Sequence, residues 1–192
     1  MFVKICGITN REDALAAVEF GARALGFIFY DRSPRSVRPE ALAEWIGEVP
    51  ANIWKVGVYV DEAPARIEHL TAELGLDVAQ LHGSETPEAH PGQGIRVWKA
   101  FRVLPEMTAI PDYPAEALLL DGPGSGRAFD WPLAAAVSKP VVLAGGLTPE
   151  NVRAAIESAQ PWGVDIASGV EASPGRKDHA RMKLFIKAAL NQ

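Results

Sequence analysis

The chain has 192 residues, 48% hydrophobic and 22% charged, with a formal net charge of −5; this is ordinary globular composition, enough for one sizeable core and read as one domain over 1–192. No Lys/Arg run offers a footprint for a phosphate backbone, which argues against nucleic acid, and no apolar run approaches the roughly 20 residues of a membrane span. The lone cysteine cannot form an internal disulfide, the N-terminus has no charged segment leading into a long apolar one, and the four histidines lack metal-ligand spacing, so the expectation is a cytoplasmic protein with no metal.

Residues 2–6 read as a first strand that ends at Cys6, because Gly7 breaks it. A lone cysteine is most simply a small buried hydrophobe. Strand alternation, however, puts Lys4 on the same side as Cys6, and a nearby ammonium would favour the thiolate and make the sulfur a usable base. Thr9 with Glu12 fits a capping box for a helix over 10–20, and a second strand follows at 24–29. The loop after it carries Arg32, Arg35 and Arg38; any of the three has the fork geometry to hold a carboxylate, and sequence physics does not choose among them. Helical patterning over 39–48, a strand at 53–60, a helix over 63–74 and a strand at 77–81 lead to His82, readable as a proton carrier, a substrate contact or a satisfied polar residue.

A helix is expected over 84–90 and a strand at 95–100. The stretch 101–115 contains Pro105, Pro111 and Pro114, so that crossover is expected to be irregular. The strand at 116–120 runs into Asp121-Gly122, followed by the glycine-rich 123–126. Asp-Gly is common in turns; alternatively a partly desolvated Asp121 holds a proton and serves as a general acid. Then come a helix over 131–137, a strand at 140–144, the Gly145-Gly146 loop, a helix over 149–158 capped by Thr148, a strand at 162–167 and a last helix over 178–190. Asp165 lies inside that last strand, where an unpaired carboxylate is expensive; it either supports the site or pairs with Lys4. Glycine-bearing loops at Gly145-Gly146 and Ser168-Gly169 follow the last two strands, where backbone N–H groups can cradle a phosphate. The five tryptophans read as packing.

Eight apolar strands alternating with helices predict a parallel sheet covered on both faces. A doubly wound sheet is the competing architecture. Polar residues follow many different strands rather than one switch point, which favours an α/β (β/α)8 TIM barrel, compact beside the usual lower end of about 200 residues. Side chains at the C-terminal strand ends then face one site.

Several segments occur together in a recognisable order: Lys4-Ile5-Cys6-Gly7-Ile8-Thr9, Gln80-Leu81-His82-Gly83, Gly124-Ser125-Gly126 with Phe129-Asp130-Trp131, Ala144-Gly145-Gly146-Leu147 with Pro149-Glu150-Asn151-Val152, and Val164-Asp165 through Ser168-Gly169-Val170-Glu171 with Pro174-Gly175 and Lys177-Asp178. With these the chain closely resembles the phosphoribosylanthranilate isomerase family of tryptophan biosynthesis. The resemblance implies a barrel that carries out an Amadori rearrangement of N-(5-phospho-β-D-ribosyl)anthranilate without a cofactor, as a monomer or homodimer. It implies Cys6 as general base, Asp121 as general acid and Arg35 on the anthranilate carboxylate. His82 and Asp165 would contribute to substrate binding, and the phosphate would lie on Gly145, Gly146, Ser168 and Gly169. The segments 122–128 and 89–95 look short for the family. Two alternatives are the related isomerase of histidine biosynthesis, which uses an aspartate in place of Cys6, and a non-catalytic sugar-phosphate-binding barrel.

Overall fold

Every strand of this chain presents one alternating set of side chains to a shared interior and the other to a ring of helices. A computed structural model describes residues 1–92, 94–104, 106–122 and 132–191. Eight strands, β1 (Phe2–Cys6), β2 (Ala24–Ile28), β3 (Trp54–Tyr59), β4 (Val78–Leu81), β5 (Arg96–Arg102), β6 (Ala117–Asp121), β7 (Val141–Ala144) and β8 (Gly163–Ile166), pair in parallel in chain order. β1 pairs with β8 and closes the barrel. The (β/α)8 expectation is met, and no open edge or switch point remains.

The two faces pack separately. Ala24, Val56, Val58, Val78, Ala100, Leu119 and Val142 fill the interior. Val3, Ile5, Leu25, Phe27, Leu81, Leu118, Leu120 and Val164 face outward into the larger core beneath the helices. Burial on both faces explains why the strands read as continuous apolar runs rather than alternating ones. At the N-terminal end, Phe2, Trp54, Trp98 and Trp162 form an aromatic cluster, with Phe2 stacked on Trp162 at 4.3 Å between ring centroids. The packing role expected for the tryptophans holds for these three and for Trp45, which meets Phe27 edge-on; Trp131 lies outside the described residues.

The helices are α1 (Arg11–Phe20), α2 (Pro39–Ala43), α3 (Pro64–Leu74), α4 (Pro132–Ala135), α5 (Val152–Ala159) and α6 (His179–Leu190). Four sequence expectations about them need correction. Asn10 rather than Thr9 caps α1, accepting from the Asp13 N–H at 2.9 Å; Thr9 instead donates to the Gly175 carbonyl. The helix expected over 39–48 stops at Ala43 and resumes only as a single 3₁₀ turn, Ile46–Glu48. Over 84–90 there is a 3₁₀ turn at Pro87–Ala89, because Glu85 turns inward to pair with buried Lys99 at 2.7 Å and to accept from the Gly83 N–H. The helix expected from Pro149 begins at Val152. Thr148 and Asn151 exchange hydrogen bonds across the intervening turn, the Thr148 N–H donating to Asn151 Oδ1 at 2.7 Å. Between β5 and β6 no helix forms among the described residues, in line with the prolines there.

Lys4 on β1 lies fully buried in the interior and donates to Asp165 Oδ1 at 2.9 Å. Burial draws the ammonium towards neutrality, but Asp165 and the Cys6 sulfur outweigh it, and the Lys4 pKa is raised above the lysine norm. Lys4→Met or Asp165→Leu alone strands the other charge and is expected to cost about 3–5 kcal/mol in urea unfolding, while the double variant costs much less. Equal losses in single and double variants would show that the pair is not the source of the effect.

Candidate active site

The sulfur of Cys6 owes its place to a side chain missing from the next strand. Cys6 pairs with Gly26, and a Cβ on Gly26 would come within 2.7 Å of Cys6 Sγ and 3.0 Å of Lys4 Nζ. Thiol and ammonium meet in that space, as strand alternation predicted. The thiol is not the low-pKa group the sequence suggested, however. Burial pushes it up, Lys4 pulls it down without cancelling the effect, and Asp165 adds to the upward push. In the unliganded protein iodoacetamide is therefore expected to alkylate Cys6 at a rate that rises with pH through a midpoint above the ordinary thiol value of 9.0. A midpoint below that value contradicts this account.

The nine site residues read from the sequence are Cys6, Arg35, His82, Asp121, Gly145, Gly146, Asp165, Ser168 and Gly169. All of them line one cavity of about 190 Å³ at the C-terminal ends of the strands. A second hollow of about 430 Å³ adjoins it and shares His82, Asp121, Gly145, Gly146 and Ser168. Cys6 reaches this space although only 6% of the residue is exposed. A further cavity of about 450 Å³ lies away from these groups, between the ends of α4 and α5 and Trp162. Among the described residues, no cluster of three His, Cys, Asp or Glu side chains has the arrangement to hold a metal. No helix among them is long and apolar enough to cross a membrane.

On the far side from Cys6, Asp121 ends β6. Its Oδ2 lies 3.4 Å from His82 Nε2, and His82 Nδ1 lies 3.0 Å from Gln80 Nε2. Asp121 packs against the glycine loop so closely that a Cβ on Gly145, whose φ is +78°, would sit 2.2 Å from the Gly122 nitrogen and 2.7 Å from Asp121 Oδ1. Only glycine satisfies both the positive φ and the close approach. Asn151 donates to the Gly146 carbonyl at 2.9 Å and ties down the same loop. The glycine-rich 124–126 and Phe129-Asp130-Trp131 lie outside the described residues.

Of the three arginines after β2, Arg32 and Arg38 are exposed and Arg35 turns into the cavity. Glu171 holds it in a fork, accepting from Arg35 Nε at 2.8 Å and from Nη2 at 2.7 Å. Glu171 belongs to β9 (Glu171–Ser173), which forms a hairpin with β10 (Arg176–Lys177) after β8. Lys177 binds the same carboxylate at 3.0 Å and donates to the Ala167 carbonyl. Burial pulls Lys177 below the usual lysine range despite Glu171. Glu171 itself is raised by burial and lowered further by its two cations, and ends below the usual carboxylate value. The trio carries one net positive charge beside the cavity. Glu171, Lys177, Asn151 and Gly26 were not singled out from the sequence. Glu171 and Lys177 stood in quoted motifs, but the fork from Arg35 to Glu171 joins distant loops and leaves no spacing signal.

The sequence matches a profile of the N-(5'phosphoribosyl)anthranilate (PRA) isomerase family over residues 3–188. The N-(5'-phosphoribosyl)anthranilate isomerase of Solibacter usitatus is 49% identical over 197 aligned positions, covering 98% of this chain and 97% of that protein. The crystal structure of phosphoribosyl anthranilate isomerase from Thermotoga maritima has a TM-score of 0.90 at 41% identity, with 100% of both chains covered. A phosphoribosyl anthranilate isomerase in complex with reduced 1-(o-carboxyphenylamino)-1-deoxyribulose 5-phosphate gives a TM-score of 0.87 at 40% identity, again with 100% of each chain covered. A closed barrel, a mouth lined by the nine expected residues and near-complete alignment agree: the chain belongs to the N-(5'-phosphoribosyl)anthranilate isomerase family, isomerases of tryptophan biosynthesis.

Proposed function

We propose that this enzyme converts N-(5-phospho-β-D-ribosyl)anthranilate to 1-(2-carboxyphenylamino)-1-deoxy-D-ribulose 5-phosphate by general acid–base catalysis. The observation that carries the reading is the convergence of a thiol from β1 and a carboxyl from β6 on one cavity beside two glycine loops. A related isomerase bound to a reduced form of that product supports the substrate class.

In the proposed reaction Asp121 gives its proton to the furanose ring oxygen as the C1′–O bond breaks, and the anilino nitrogen lone pair becomes the C1′=N bond of an iminium. The iminium acidifies the C2′ proton, which passes to Cys6, and the C2′–H electrons form an enolamine. The enolamine then tautomerises to the C2′ ketone as the Cys6 thiol passes its proton to C1′ and the C2′ hydroxyl proton passes to the Asp121 carboxylate, which returns both groups to their starting states. Atoms balance within substrate and protein, and no cofactor enters.

The raised thiol pKa is compatible with this order. Lys4 lies beneath the sulfur, and the iminium brings a second positive charge to it only after the ring has opened. The phosphate is assigned to the backbone of Gly145, Gly146, Ser168 and Gly169, where N–H groups and loop curvature suit an anion. Arg35 is assigned to the anthranilate carboxylate. Glu171 occupies the Nε–Nη2 edge of its guanidinium, leaving other N–H donors free for a second carboxylate. Asp165 would act at the site through Lys4.

The substrate's aminobenzoate fluorescence reports turnover. Cys6→Ser and Asp121→Asn are each expected to lower kcat by roughly 10²–10⁴-fold with the barrel still folded. Arg35→Met is expected to raise KM by about tenfold or more with a smaller change in kcat. Near-normal turnover in either of the first two variants removes that residue from the mechanism.

A further inference from the structure

Among the described residues the barrel interior holds three buried polar side chains below the mouth, and two of them neutralise each other. Lys4 and Asp165 form an ion pair; Gln80, on β4, is fully buried. Its backbone neighbours across the sheet are Val58 and Trp98. Placing a carboxamide there is costly unless it makes a specific hydrogen bond. The bond it makes runs to His82, two residues along the same inward face: Gln80 Nε2 lies 3.0 Å from His82 Nδ1. Gln80 Oε1 has no partner among the described residues. An under-used carbonyl is the more tolerable loss, since the reversed amide would leave both of its N–H groups idle.

An amide N–H faces Nδ1, so that nitrogen must present its lone pair, and the single proton of a neutral imidazole then lies on Nε2. Nε2 is the atom that faces Asp121 Oδ2, at 3.4 Å. We propose that Gln80 is a positioning residue for the acid half of the site: it holds His82 as the Nε2–H tautomer and aims that proton at Asp121. This rests on the assignment of Asp121 as the general acid. An N–H bond to one carboxyl oxygen orients the group and leaves Oδ1 to carry the transferable proton. The same bond strengthens when Asp121 becomes a carboxylate, because charge-assisted hydrogen bonds are stronger than neutral ones. The contact therefore favours the ring-opened side of the proton transfer, which is where an interaction accelerates a step.

The test reads the tautomer directly. Ring-nitrogen NMR of ¹⁵N-labelled protein at fixed neutral pH, with the His82 signals assigned by their loss in His82→Asn, is expected to show Nε2 protonated and Nδ1 bare in the resting enzyme. Gln80→Glu puts an acceptor against Nδ1 and is expected to move the proton there. Gln80→Leu removes the donor and is expected to give a mixture, with kcat about tenfold lower and KM little changed. Resting enzyme with the proton on Nδ1 overturns the proposal. So does a His82 tautomer indifferent to both substitutions in folded variants. If neither variant folds, the wild-type tautomer alone decides. The NMR readout needs no turnover, so a protein lacking isomerase activity would overturn the functional reading while leaving the Gln80–His82 relation separately decided.

Discussion

One contact in the barrel interior joins the beginning of the chain to its end. Lys4 and Asp165 are register partners across the β1–β8 seam and also an ion pair. A parallel barrel closes only when its first and last strands meet, and here a charged pair stands at that meeting. A slip of one residue in either strand would turn its own charge outward, leave the other charge unpaired inside and bring apolar side chains to the wrong face. Closure sets Cys6 beside the loops that follow β8, and the pair supplies the cation beneath the sulfur. Structural seam and chemical floor are the same two residues, so no step in the geometry separates holding the ring shut from holding the thiol in place.

Above that floor the mouth divides by charge. The Cys6 side is flanked by Lys4, and the Arg35–Glu171–Lys177 trio adds one net positive charge next to it. The Asp121 side carries the contacts that run from its carboxyl through His82 to Gln80. The glycine loops lie between the two, with Asn151 on the Gly146 carbonyl. A ligand with an anionic group at each end and a reactive sugar in its middle suits this distribution. Its two ends would meet the backbone amides and the cationic trio, and its centre would fall between the proposed base and the proposed acid. Fixing the ends on separate loops is how a site of this kind lowers the entropic part of a barrier.

How much of this was legible in the sequence depends on the range of the interaction. Strand positions were readable because burial on both faces writes a continuous apolar run; Cys6, His82, Asp121 and the two glycine loops stand out because they follow strands, whereas the choice of Arg35 over Arg32 and Arg38 came from the family resemblance. Helix starts were read less well. Thr9 looks like a cap, but Asn10 takes the Asp13 N–H; Thr148 does accept from the Glu150 N–H, yet its own N–H donates to Asn151 Oδ1 and the turn so formed delays the helix to Val152. Glu85 looked helical because propensity says nothing of Lys99, which faces it from the next strand. The thiol's direction of shift departs from the sequence expectation for a related reason. Lys4 is visible two residues away, but the burial that outweighs it is a property of the closed ring. Glu171 with Arg35 spans 136 positions of sequence, and no local pattern announces such a partner.

The aromatic cluster of Phe2, Trp54, Trp98 and Trp162 lies at the opposite end from the site. It makes the barrel a cup with a stopper rather than a tunnel. Whatever enters at the loops must leave by the same doorway, so arrivals and departures take turns. Under the proposed function, a tighter hold on the phosphate that steadies the sugar for chemistry also delays its exit, and the rim of the cup is where turnover and residence are traded against each other.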